Sequence, residues 1–289
     1  MIETHPFLFG SHRYDEYLEL FEQEGQTVAG MARSPNRWDS AQQESFEGGV
    51  FALDGDQPRG RTLWHLLRAA EGTAGFFQSA NGPPGETFDA LWLNNRHTFS
   101  HGLALHNVRH SIFEDGIGTA WTLRRPDLAR PVAAAFDILA IAPFAGSPYT
   151  CAFDRALNQI VYGNIDLCRE DLLEALRLSE SLDNDLAREW RDTRTVPLIA
   201  LVSAYLDRND QGFNTALERV LLGHRAFWGA TDRRQRTPSG YVAWLALGLC
   251  SLAHDAGMKV TVESNYIPAW LYRKEWDEVP DEPMPAASS

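Results

Sequence analysis

The chain has 289 residues, 44% of them hydrophobic and 22% charged, a composition that supports a sizeable folded core and excludes an intrinsically disordered chain. Its formal charge is −13, from 39 Asp and Glu against 26 Lys and Arg, so phosphate backbones and anionic lipid surfaces repel it and a basic protein partner is favoured. The same charge also serves solubility alone.

Targeting and cysteine usage point to the cytoplasm. Met1-Ile2-Glu3-Thr4-His5-Pro6 has no basic stretch followed by an apolar one, so no secretory leader is expected. Cys151, Cys168 and Cys250 are far apart in apolar helical contexts, which fits reduced, buried thiols rather than a disulfide framework or a metal site.

In chain order, Asp15 to Phe21 begins an amphipathic helix expected to run to Met31. Gly48-Gly49-Val50 to Arg59-Gly60 reads as a loop. Thr62 then caps a helix whose Leu63, Leu66, Leu67 and Ala70 form one buried stripe. Asn81-Gly82-Pro83-Pro84-Gly85 is the clearest break. It reads either as a boundary between an N-terminal helical region, 1–80, packed on the rest, and a helical array, 81–276, or as a tight helix–helix connection, which leaves open whether 1–80 is a separate domain. Within the array the patterns predict helices near 86–111, 128–142, 149–163, 167–180, 184–192, 196–207, 211–228 and 238–256. Pro143, Pro148 and Pro197 fall where helix ends or first turns tolerate them. Helix 211–228 carries Phe213, Leu217, Val220, Leu221 and Phe227 on one face, with Asp210 as its cap. The apolar run from Tyr241 to Ala253 is too short to span a bilayer and reads as a buried helix. Met258 to Glu263 alternates apolar and polar residues as a strand does, and the acidic, proline-rich 277–289 reads as a disordered tail. The expected fold is all-α: irregular antiparallel helical hairpins, an α-solenoid or TPR-like array without a fixed repeat period, with one short C-terminal extended strand.

Candidate chemistry is sparse. His97 and His101, like His106 and His110, are four apart, a spacing that holds a metal on one helix face. The two pairs fall on opposite sides of such a helix, and no Asp, Glu or Cys completes either, so no metal and no cofactor is expected. His224 lies on an apolar face as a core histidine, and His254-Asp255 closes a helix just before Gly257. No nucleophile elbow, phosphate loop or zinc motif is present in the sequence, so the residues do not read as an enzyme's. Tyr266, Trp270, Tyr272 and Trp276 dock the C-terminal segment onto the helices, and an exposed subset is available to a protein interface.

A set of residues in the last part of the chain resembles a known family. Phe213-Asn214-Thr215-Ala216-Leu217, His224, Phe227 and Trp228 are followed by Pro238-Ser239-Gly240 and Ala246-Leu247. Then come Ala253-His254-Asp255-Ala256-Gly257, Val260, Val262-Glu263-Ser264-Asn265-Tyr266-Ile267-Pro268 and Leu271. Together these resemble the immunity protein 49 family. The residues that carry the resemblance, His224, Trp228, Gly240, His254, Asp255, Gly257, Glu263, Ser264, Tyr266 and Pro268, have structural characters: a helix stop, a strand and a proline-started helix. The resemblance implies an all-helical protein encoded beside a polymorphic toxin, which it neutralises by binding without catalysis. The partner it implies is a cognate toxin, and the chain's charge suits a basic one. Two other readings stay open: a helical-repeat scaffold for an endogenous protein or peptide, and an enzyme built on the histidine-bearing helices. The toxin, its contact residues and the oligomeric state are left open.

Overall fold

The computed structural model describes residues 1–4, 28–55, 57–142, 146–180, 182 and 184–281. Most of the helix expected from Asp15, and Pro143, lie outside these residues. The first described helix is α1, Val28–Arg33, followed by α2, Arg37–Asp54, and α3, Arg59–Ala80. The loop expected at 48–60 is therefore a correction: α2 runs through Gly48 and Gly49 and only the segment after Asp54 turns. The two glycines serve packing. A Cβ on Gly48 would lie 2.4 Å from His65 Nδ1, and one on Gly49 2.9 Å from Leu66 Cδ2, so α2 and α3 lie closer than side chains would allow. Thr62 is inside α3 rather than its cap, and Leu63, Leu66, Leu67 and Ala70 are buried as the periodicity predicts.

The second correction is the helix expected at 86–111. The chain instead forms an antiparallel hairpin, β1 Thr87–Trp92 and β2 Asn95–Ser100, with Phe88 opposite Phe99 and Trp92 opposite Asn95. A short 3₁₀ turn at Leu105–Asn107 leads into α4, His110–Thr122. Ala90, Trp92 and Phe99 point inward, and Phe99 and Trp92 stack edge-on against the fully buried Trp38 of α2, at 4.9 and 5.7 Å between ring centroids. Leu93 and Asn94 form a two-residue turn with φ of 54° and 59°, the left-handed pair that matches the strands' twist. Neither residue is glycine, and a carboxylate compensates. Glu71 of α3, fully buried, accepts the N–H of Leu93 at 2.8 Å and of Asn94 at 3.0 Å.

After the hairpin the helical hairpins expected from sequence appear. They are α5 Pro126–Ala134 and α6 Asp137–Ile141, then α7 Pro148–Tyr162 and α8 Ile165–Leu178. Next come α9 Asp185–Trp190, a π turn at Arg191–Thr195, α10 Val196–Leu206 and α11 Asp210–Gly229. The cap of α11 is Asn209, whose side chain accepts the Gly212 N–H, and not Asp210. The array does not simply continue in series. After α12, Asp232–Gln235, the buried helix α13, Trp244–Asp255, returns across the molecule to lie on α4. At their crossing a Cβ on Gly248 would sit 2.5 Å from Gly118 O, and one on Gly118 2.5 Å from Trp244 O. The two backbones touch.

The segment 258–263 is extended and carries no strand ladder, as a lone strand laid over the helices would. Asn214 of α11 replaces the missing neighbour: its Nδ2 donates to Lys259 O and its Oδ1 accepts the Thr261 N–H, both at 2.7 Å. One parallel bridge joins Ser264 to Ile2. A short helix α14, Ala269–Tyr272, follows, and the segment read as a disordered tail is described as far as Asp281. Asp281 accepts hydrogen bonds from Trp64 and Asn94.

Two predictions follow from this packing. Alanine is favoured over glycine by about 1 kcal/mol in a helix interior, yet Gly248→Ala is expected to lower stability by about 1–3 kcal/mol, because a methyl group there meets backbone and not a movable side chain. A urea midpoint equal to or above that of the wild type would contradict the backbone contact. Burial raises the Glu71 carboxyl to about 7, against the opposing bonds from Asn94 and Leu93. Between that value and the ordinary 4.5 the folded chain holds a proton the unfolded chain has lost, so this group's contribution to stability grows as pH falls. Relative to Glu71→Gln, the wild type should gain up to about 1.4 kcal/mol per unit as pH drops from 7 to 5. Urea unfolding across that range reads the difference, and a flat difference refutes the coupling.

Candidate functional site

The residues singled out from the C-terminal pattern converge on one structural lock. His224 Nε2 bonds Gly240 O at 2.8 Å, and its ring stands edge-on to Tyr266 at 4.9 Å. A Cβ on Gly240 would lie 2.8 Å from the Trp228 ring, so this close approach also needs glycine. Tyr266 is fully buried, its carbonyl accepts the Ala243 N–H at 3.0 Å, and its own N–H reaches Ser264 Oγ. Ser264 Oγ donates to Ile2 O at 2.8 Å, and the Ile2 N–H donates to Glu263 O at 2.9 Å. The first residues of the chain are thus fastened to the C-terminal segment. Pro268 caps α14, and Gly257, at φ 79°, closes α13 in the left-handed conformation expected of it.

The His254-Asp255 pair does not act as a unit. The His254 ring lies 6.4 Å from that of Tyr272, while Asp255 takes a two-pronged bond from Arg124, at 3.0 and 2.9 Å. Arg124 also donates to the carbonyls of Thr122, Leu271 and Tyr272, at 2.7, 3.2 and 2.6 Å. One guanidinium therefore ties the ends of α4, α13 and α14.

Beside this lock is a groove of about 660 Å³, walled by Val50, Leu53 and Asp54 of α2 and by Glu263, Pro268 and Trp270. Trp270 is half-buried beneath the Arg59 guanidinium at 4.9 Å. Arg59 in turn bonds Glu275 O at 3.0 Å, and the chain continues over α3 toward Asp281. Of the aromatic quartet, Tyr266 and Tyr272 are buried while Trp270 and Trp276 keep part of their surface. Docking the C-terminal segment is their main physical role.

The histidine pairs dissolve. His97 is on β2 and His101 just beyond it, so at strand rise the two Cα atoms are about 13 Å apart. His106 is in the 3₁₀ turn and His110 starts α4. His101 Nδ1 meets Gln78 O at 2.8 Å. Among the described residues, no group of three or more His, Cys, Asp or Glu could hold a metal, and no helix is long and apolar enough to cross a membrane.

Sequence reasoning missed a second site, because its members are distant in the chain. His110 Nδ1 is bonded to Asp154 of α7, whose side chain is fully buried. The Gly146 N–H donates to His110 Nε2 at 2.6 Å, and Cys151 Sγ is 3.8 Å from the same nitrogen. One turn along α4, Glu114, also buried, takes two bonds from Arg194, at 2.7 and 3.2 Å, and Asp115 is 3.7 Å from that guanidinium. Arg194 belongs to the π turn. Its extra residue suits Pro197, which has no N–H to give Thr193 O in an α-helical pattern. Burial disfavours the His110 cation, but the bonds and charge of Asp154 and Cys151 outweigh it and raise the ring to about 10. Burial pushes Asp154 the same way, and its His110 bond opposes that.

Arg124 supplies the direct test of the lock. Arg124→Lys keeps the charge but loses the planar fork, and should lower stability by about 1–3 kcal/mol. Asp255→Asn should have less than half that effect, since the three carbonyl contacts remain. Equal losses in the two variants, read from urea unfolding, would show the ion pair and not the carbonyl capping to be dominant.

No curated protein and no solved structure matches the chain. A family model described as immunity protein 49 matches residues 57–271, which include the hairpin, the charged interior and most of the C-terminal lock. With that match over most of its length, the chain belongs to the immunity protein 49 family.

Proposed function

We propose that the chain binds one copy of a cognate bacterial toxin in the cytoplasm and occludes its active site without turnover, using the groove where its first residues meet the segment 263–270. Family membership supports an immunity role. The observation that carries the location is the distribution of charge. Residues 57–262 are nearly neutral, with 22 Asp and Glu against 21 Lys and Arg. Residues 1–56 carry 11 acidic against 3 basic side chains, and 263–289 carry 6 against 2. These flanks hold −12 of the −13. Among their described residues, the Ile2–Ser264 bridge places Glu3 beside Glu263, and Asp54 lines the same groove. Carboxylates beside a groove with a partly exposed Trp suit a cationic protein face.

The chemistry of inhibition here is steric and electrostatic. A partner's basic residues would meet Glu263, Asp277 and Glu278, all exposed, and Trp270 would contribute apolar contact from the groove wall. The toxin's activity is unspecified by these features. Its surface charge is what they address.

The test is titration of the purified chain with the toxin domain encoded beside it, together with rescue of growth in cells expressing that toxin. Glu263→Gln with Asp277→Asn and Glu278→Gln should weaken binding at least tenfold, mainly through slower association, and flatten its salt dependence. Asp166→Asn with Glu170→Gln and Glu180→Gln, three exposed changes on and just beyond α8, should stay within about twofold. Equal losses in both triple variants would refute the location. Absence of a complex and of rescue, with a folded chain, would refute the immunity reading itself.

A further inference from the structure

Cys151 is the partly exposed one of the three cysteines, while Cys168 and Cys250 are buried. It sits in the first turn of α7, a helix of 15 residues that begins after Ser147. Its Sγ is 3.8 Å from His110 Nε2 and 3.9 Å from Gly146 O. The Gly146 N–H donates to Nε2, so that nitrogen carries a lone pair and the ring's proton is on Nδ1, where Asp154 holds it. A nucleophile, a ring nitrogen 3.8 Å from it whose lone pair is held by the Gly146 N–H, and a buried carboxylate on the ring's other nitrogen are thus in one chain of contacts. Asp154 and Cys151 are three residues apart on one helix face, and His110 comes from α4, so two packed helices hold the alignment.

We propose that Cys151 is a base-activated thiol, with His110 as its base and Asp154 as the positioning residue, and that its substrates are hydroperoxides. When Nε2 exchanges the Gly146 N–H for the thiol proton, the thiolate attacks one oxygen of the peroxide. The S–O bond forms as the O–O bond breaks. The sulfur is oxidised by two electrons to a sulfenic acid, and the departing oxygen takes the proton from His110 and leaves as water or an alcohol. No additional reductant or oxidant is needed for this step. The immunity role does not depend on it, and neither Cys151, His110 nor Asp154 lines the groove beside the lock.

The charged groups facing this thiol come from three elements. His110 and Glu114 belong to α4, Asp154 to α7 itself and Arg194 to the π turn, with Asp115 on the far side of Arg194. Asp154 favours a protonated His110, Glu114 raises Asp154, and Arg194 offsets Glu114 through their direct pair.

The experiment is peptide-resolved alkylation of the native full chain with iodoacetamide between pH 5.5 and 9, with Cys168 and Cys250 as internal references. A second arm exposes the chain to hydrogen peroxide and traps sulfenic acid with dimedone. At pH 7 Cys151 should react at least tenfold faster than the same cysteine in a synthetic 147–155 peptide. Dimedone should label Cys151 and neither of the other two. His110→Gln should slow alkylation at least tenfold at pH 7 and converge with the wild type near pH 9, a change of profile that loss of packing alone would not give. Asp154→Asn should shift the same profile partway. Where a variant does not fold, the comparison of the wild-type chain with the peptide decides. A Cys151 no faster than the peptide at pH 7, or unlabelled by dimedone, overturns the proposal.

Discussion

The contact on which the rest of the structure depends is the crossing of α4 and α13, where Gly118 and Gly248 let two helix backbones touch. α4 is approached from a second side as well: a Cβ on Gly116 would lie 2.3 Å from Thr73 Cγ2 of α3. A helix with small residues toward two neighbours becomes a central post. α3 brings the β-hairpin through Glu71, and α13 brings the C-terminal lock through Asp255 and Arg124. The last turn of α4 and the residue beyond it thereby link segments that are more than a hundred residues apart in sequence. Dispersion at so short a separation is strong because no side chain intervenes, and it tolerates no added methyl group.

Much of the helical fold was legible because periodicity is local. The stripe of Leu63, Leu66, Leu67 and Ala70, the helices around 149–163 and 196–207, and the left-handed Gly257 follow from spacing and backbone chemistry alone. The hairpin was not read, although Phe88, Ala90 and Trp92 alternate with Thr87, Asp89 and Leu91. Its turn, Leu93-Asn94, lacks glycine, and the carboxylate that makes the turn tenable is 22 residues upstream in α3. Gly48-Gly49 resembled a loop for the converse reason: their role is set by His65 and Leu66 on another helix. The contacts among His110, Cys151 and Asp154 span 41 and 44 residues, so no motif of fixed spacing contains them. The extended 258–263 segment satisfies its backbone through the Asn214 side chain instead of a partner strand, a choice invisible to β-propensity.

The family match covers a scaffold whose acidic and basic side chains nearly cancel, and most of the net charge lies outside it in sequence. Within the scaffold the buried charges are paired or hydrogen-bonded, as in Arg194 with Glu114 and His110 with Asp154, which is the condition for keeping ionised groups away from water. The exposed apolar side chains of α8, Leu167 and Leu173 at 48% and 68% exposure, form a separate surface, on a helix with four acidic and two basic side chains.

The most direct measurement is of where the proposed partner seats, beside the Ile2–Ser264 bridge or on α8. Hydrogen–deuterium exchange of the chain, free and saturated with the toxin domain encoded beside it, locates the contact without any substitution. The account predicts slowed exchange at residues 262–273 and at the end of α2, 50–54, with 165–178 unchanged. Protection confined to 165–178, with the groove segments exchanging as in the free chain, would contradict it.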